Sequence, residues 1–222
     1  MFDNPLKFWK DKDFLTKSLE EFKGMLTKAE ELFSTICRRL IHNEEIENLG
    51  QLVYEEDKKI NNAERVIRKR VAEHLLIQPS VDTAACLLLM SVVKDAERLG
   101  DYCKNLYGVV NLLEKPIDRV SYDSFFGGID EDVVEMFKQT KGAFIDSDEA
   151  KANSSWEYEA KIVKKCDQII EKASKSTLSV NEAVSFALIA RYYKRLAAHL
   201  ANIATSVIVP LDELDYFDEK RK

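Results

Sequence analysis

Ala96-Glu97-Arg98-Leu99-Gly100-Asp101-Tyr102-Cys103-Lys104-Asn105 lies inside a long periodic segment, about 82–113. Ala85, Leu88, Val92, Ala96, Leu99, Cys103, Leu106, Val110 and Leu113 recur every three or four residues, the spacing of one face of an α-helix. A neighbouring stripe begins apolar at Leu89 and Val93 and turns polar at Glu97, Asp101 and Asn105. Carboxylates four residues apart on a helix point the same way, one turn apart. Apart from Lys104, three residues after Asp101, nothing basic follows at the next turn to pair with them. Like charges at this spacing repel modestly, and a shared cation would turn the repulsion into a site. Gly100, costly in a helix interior, would let a neighbouring helix approach closely here.

The same periodicity runs outward in both directions. Towards the N-terminus, Phe14, Leu15, Leu19, Phe22, Leu26, Ala29, Phe33, Ile36 and Leu40 form the seam of a first helix, ended at His42-Asn43. A second helix is expected from Glu44 or Glu45 to about Leu76. Its seam reads Ile46, Leu49, Val53, Asp57, Ile60, Glu64, Ile67, Val71, His74, so two seam positions are acidic, with Asn61 between them. A carboxylate on a core-facing stripe is costly unless it is paired or bound to a metal. Pro79 stops this helix and Asp82 is the expected N-cap of the third. The aromatic and basic segment before Phe14 is read as a helix start tucked under the bundle.

Pro116 ends the third helix, and 121–132, with Gly127-Gly128, is the best hinge or boundary in the chain. Three further helices are expected, at about 131–144, 149–174 and 181–209. The fifth has Trp156, Ala160, Val163, Cys166, Ile170 and Ala173 inward; the sixth has Leu188, Tyr192, Leu196, Leu200, Ile203 and Val207 on its seam. Pro210 stops it, and the acidic tail from Leu211 frays or forms a short helix. The fold expected is therefore all-α: two tandem antiparallel three-helix bundles, residues 1–118 and 119–222, joined by short turns.

Composition agrees. The chain has 222 residues, 45% of them hydrophobic, with only seven glycines and four prolines. A net charge of −6 with no basic run argues against nucleic acid. No apolar stretch approaches the roughly 20 residues of a membrane-spanning helix, and no signal peptide is seen. Cys37, Cys86, Cys103 and Cys166 lack CxxC spacing and read as buried free thiols, which fits a reducing compartment. The expected location is cytoplasmic. His42, His74 and His199 form no Glu-x-x-His pair, and no phosphate loop or nucleophile elbow is present.

The two halves share one rhythm. Aligning 191–203 with the opening stretch places Lys194 under Glu97, Arg195 under Arg98, Leu196 under Leu99, Ala197 under Gly100, Ala198 under Asp101 and Asn202 under Asn105. The scaffold repeats while the two carboxylates do not. Lys194 is expected to stand in for a cation, paired with Glu157 or Glu159.

Gln78-Pro79 followed by Asp82, then Glu97-Arg98-Leu99-Gly100-Asp101 and Asn105, resembles the PhoU family of phosphate-uptake regulators. So does Glu56-Asp57-Lys58-Lys59-Ile60-Asn61. The resemblance covers nearly the whole chain. It departs from the family pattern at Thr83-Ala84, where Leu-Arg is common, and in the second half at Lys194 and Ala198. The family implies two tandem three-helix bundles able to carry metal clusters on their carboxylate faces. It also implies action with a phosphate transporter and its sensor histidine kinase at the inner membrane surface, and a homodimer. In this chain it implies one metal-competent bundle, the first, and one structural bundle.

The candidate metal ligands are Asp57, Asn61 and Glu64 from the second helix with Glu97, Asp101 and Asn105 from the third. An all-oxygen set suits Mg²⁺, Ca²⁺, Mn²⁺ or iron better than structural zinc. The competing reading is a solvated acidic face closed by Arg98, Lys58 or Arg65. Functionally, a regulator that works by binding, and is not an enzyme, stands first. A metal-dependent phosphohydrolase or oxidase using the same carboxylates, or a metal-free helical adaptor, are the alternatives.

Overall fold

A computed structural model describes residues 13–78 and 82–214. The aromatic start before Asp13, the Pro79 stop and the tail beyond Leu214 lie outside the described residues. Seven α-helices are described: α1 Asp13–His42, α2 Leu49–Ile77, α3 Thr83–Leu112, α4 Arg119–Phe126, α5 Ile129–Asp146, α6 Glu149–Ser174 and α7 Val180–Thr205, followed by a 3₁₀ turn at Leu211–Glu213. No strand occurs among the described residues. The all-α expectation holds.

Helices α1, α2 and α3 pack on one another, as do α5, α6 and α7. The two sets meet along α3 against α7 and α1 against α5. Apolar residues from both sets form one continuous cluster, from Leu15 and Phe22 on α1 to Leu200 and Ile203 on α7. Phe33 of α1 lies 5.9 Å from Phe137 and 5.6 Å from Tyr193, so aromatic packing crosses between the sets.

Local sequence sets the ends. Asp118 and Asp148 cap α4 and α6 by accepting from the backbone N–H of Ser121 and Lys151, and Ser179 with Glu182 forms a reciprocal capping box on α7. At the element ends, three sequence expectations need correction. Helix α2 starts at Leu49, not Glu44 or Glu45, because Asn43 and Asn48 both take left-handed φ, 56° and 54°, and hold 43–48 as a turn. The expected hinge or boundary at 121–132 is largely helical, taking in most of α4 and the first turn of α5 around a two-glycine turn. Helix α4 ends at Gly127 and Gly128, whose φ of 48° and 76° suits glycine and redirects the chain into α5. Asp82 stands at the N-cap position with φ 60°, but its side chain does not cap α3; it lies 3.6 Å from His74 Nε2 instead.

The repeat is visible in burial. Leu88, Leu89, Val92, Val93, Ala96, Leu99, Gly100, Cys103 and Leu106 are buried on α3, and so are the residues 97 positions later on α7, from Ser185 to Ile203. This is the register that sets Lys194 against Glu97. The inward stripe of α6 is Ala152, Ser155, Ile162, Cys166, Ile169 and Ala173, so Trp156, Ala160, Val163 and Ile170 only flank it. On α7 the seam is centred on Ile189 and Tyr193 rather than Leu188 and Tyr192.

Candidate functional site

The acidic row of α3 lies against α2, as the sequence reading requires. Asp57 is only 6% exposed and lies on the buried stripe of α2 with Val53 and Ile60. A Cβ placed on Gly100 would stand 3.1 Å from Ile60 Cδ1 and 3.7 Å from Asp57 Oδ1. The glycine thus permits the approach of the two helices at the carboxylates.

Lys104 Nζ donates to Asp57 Oδ2 at 2.9 Å and to Asp101 Oδ1 at 3.0 Å, bridging α2 and α3. Arg98 Nη1 donates to the other Asp101 oxygen at 2.9 Å, and its Nε lies 3.6 Å from Glu97 Oε2. Asn61 Nδ2 is 3.5 Å from Asp57 Oδ2. Glu64 pairs with Arg68 on its own helix at 2.9 Å, and Asn105 is exposed one turn beyond Asp101. Lys58 and Arg65 are exposed; the closing cations are Arg98, Lys104 and Arg68.

Electrostatics mark this as a site short of positive charge. Burial, then the neighbouring carboxylate of Asp101, pushes Glu97 above the usual carboxylate range; Glu64 and Asp57 push the same way, against Arg98. Burial opposes the charge of Lys104, but its hydrogen bonds to Asp57 and Asp101 outweigh that and raise it above an ordinary lysine. Asp57 Oδ1 and Asn61 Oδ1 are buried with no hydrogen-bond partner. These oxygens and the all-oxygen donor set fit a hard cation. As folded, however, no group of three or more His, Cys, Asp or Glu side chains among the described residues is arranged to hold a metal.

In the second half Lys194 occupies the place of Glu97, and its ammonium reaches Asp167, at 2.7 and 2.9 Å, rather than Glu157 or Glu159. The four cysteines are free and buried. Burial drives the Cys37 and Cys103 thiols well above their ordinary range and Cys166 up to about 12, so they are poor nucleophiles.

Sequence reasoning missed Asp95. It is 2% exposed and its Oδ1 meets His199 Nδ1 at 2.7 Å across the α3–α7 contact, from 104 positions away. Tyr102 stacks on His199 at 5.5 Å and lies 6.2 Å from Tyr192. In the repeat register, Tyr102 corresponds to His199 and Asp95 to Tyr192, so these four residues form the centre of a quasi-symmetric seam. The only local signal was an acid beside an apolar seam, between Val93 and Ala96.

The PhoU domain family matches this chain over residues 22–110 and 129–207, one match for each bundle. The chain belongs to the PhoU family. Membership places it among regulatory proteins and not enzymes. No curated protein matches the chain. Two solved PhoU structures share its fold. The phosphate transport system regulatory protein PhoU from Streptococcus pneumoniae has a TM-score of 0.76 at 19% identity, covering 87% of this chain and 92% of that one. PhoU from Pseudomonas aeruginosa has a TM-score of 0.76 at 22% identity, covering 88% and 95%. Among the described residues no helix of this PhoU protein is long and apolar enough to cross a membrane.

Proposed function

We propose that this protein regulates phosphate transport by binding, with a carboxylate cation site in its first bundle. The observation that carries the reading is the family match over both repeats, with the fold of a phosphate transport system regulatory protein over 87% of the chain. The partners are a phosphate transporter, its sensor histidine kinase, or both, at the inner membrane surface, and the regulator is a cytoplasmic homodimer with units at 1–118 and 119–222. The docking face is the acidic side of the first bundle. Asp57, Asn61, Glu64, Glu97 and Asp101, with Asn105 at the rim, would hold an iron, Mn²⁺, Mg²⁺ or Ca²⁺ ion. Two unpartnered oxygens and the raised Glu97 support this assignment. Such an ion would neutralise the face and change which partner charges it accepts.

Two measurements test the proposal. Deleting the gene should alter phosphate uptake under phosphate excess; unchanged uptake under excess and starvation would overturn the regulatory reading. Metal content of untagged protein should exceed that of a Glu97→Gln/Asp101→Asn variant. Equal content, or none in either after incubation with Fe²⁺, Mn²⁺ and Mg²⁺, would remove the cation site and leave a metal-free adaptor.

A further inference from the structure

We propose that Lys104 is the resident counter-ion of the first-bundle carboxylates and sets how tightly they take a divalent cation. The inference rests on the cation site proposed above and concerns the cation that bridges its two helices. Its ammonium lies between Asp57 of α2 and Asp101 of α3, at 2.9 and 3.0 Å, so one point charge neutralises an acid on each helix. Four carboxylates, Asp57, Glu64, Glu97 and Asp101, face three cations, Lys104, Arg98 and Arg68.

The three cations are not equivalent. Arg98 and Arg68 bind acids of their own helices. Lys104 alone ties α3 to α2. Its side chain is 42% exposed, whereas that of Asp57 is 8% exposed. A lysine ammonium on a flexible four-carbon stem can swing into water at small cost. The buried aspartate cannot follow it, and Asp57 Oδ1 has no partner even with Lys104 in place. Asp57 is thus a fixed buried acceptor, and Lys104 is the removable plug. An incoming divalent ion must break both ammonium hydrogen bonds, and this competition weakens its binding. In its absence Lys104 adds an ion-pair link between α2 and α3 beside their buried apolar contact. The second half has no counterpart: Lys104 corresponds to Ala201, Lys194 stands in the place of Glu97 and meets the exposed Asp167, and among the described residues no carboxylate of that half is buried.

The test uses Mn²⁺ alone as probe on the full chain, with three proteins: the parent, Lys104→Met, which keeps the stem, and Lys104→Met/Asp57→Asn. Calorimetric titration should show Mn²⁺ bound about tenfold or more tightly by Lys104→Met than by the parent, a difference lost in the double variant. In EDTA, Lys104→Met should melt below the parent, and Mn²⁺ should restore it. Equal or weaker affinity in Lys104→Met, with the parent still binding, overturns the inference and leaves the cation site standing. Binding by the variant but not the parent upholds the inference and removes the parent's own cation site. No binding by either overturns both. On the unaltered protein, Mn²⁺ at saturation should raise acylation of Lys104 by an N-hydroxysuccinimide acetate, read by peptide mass spectrometry. Unchanged labelling at saturation overturns the plug even where Lys104→Met fails to fold.

Discussion

A methyl group on Gly100 would press against Ile60, which is fully buried, whereas one on Gly108 meets nothing within 4 Å. Both glycines lie inside α3, so alanine gains about 0.5–1 kcal/mol of helix propensity at either position. At Gly100 that gain is opposed by overpacking, which typically costs about 1–3 kcal/mol. Urea unfolding should therefore show Gly108→Ala more stable than the parent and Gly100→Ala less stable by about 1 kcal/mol. The second residue-scale prediction concerns Asp130, on the first turn of α5, 3.5 Å from the Tyr122 hydroxyl. Burial raises its carboxyl above the usual aspartate range, and this outweighs its own backbone hydrogen bond and the pull of Arg119. With the native pKa above the unfolded one, the folded state binds the proton more tightly. Stability then falls as pH rises through the interval between the two values, starting near the ordinary aspartate range of about 4. Asp130→Asn should melt above the parent at neutral pH, and the gap should close on acidification below that range. A gap that persists at low pH would contradict this account.

At the scale of elements, helix α7 depends on a contact that its own periodicity does not reveal. Asp95 is almost fully enclosed and reaches His199 on α7, while its Oδ2 has no partner. Removing one member of a buried pair leaves an uncompensated polar group or charge, at about 3–5 kcal/mol. His199→Leu should destabilise the protein by about 3 kcal/mol or more in urea unfolding. Replacing both, as Asp95→Ala/His199→Leu, should recover most of that loss; a double variant as unstable as the sum of the singles would show the pair to be uncoupled. The same logic separates Lys104 from Lys194, which are not equivalent positions of the repeat. Lys104 meets a buried acid and matters to helix packing, whereas Lys194 meets an exposed one, where ion pairs contribute little.

Across the whole molecule, the halves are repeats but do not own separate cores. The apolar cluster runs from α1 to α7 without interruption, and Lys141 of α5 pairs with Glu30 of α1 across the contact. The chain between Leu113 and Asp118 is the non-helical link between the sets. A protease site placed between Glu114 and Lys115 should yield, after cleavage, two fragments that co-elute as one species of unchanged size. Fragments that separate in native buffer would show that each bundle is stable alone. The nearly buried Ile117, just after the cut, should keep the link docked.

The sequence by itself determined six of the seven described helices, the rows of acids and the register of the repeat. The helices and the rows depend on spacings of three and four residues along one helix, which are local, and the register on matching one half of the chain to the other. The acids of the candidate site were legible for the same reason, since Glu97 with Asp101, and Asp57 with Glu64, share faces of single helices. Arg98 and Arg68 close on acids of their own helices, but tertiary structure alone decided the partners that lie across helices. Lys104 meets Asp57 from 47 positions away, Lys194 meets Asp167, and Asp95 meets His199, because the rotation and crossing of packed helices choose those partners. It also decided the start of α2 and the existence of α4, where left-handed asparagines and glycines turn the chain at points that hydrophobic periodicity does not mark.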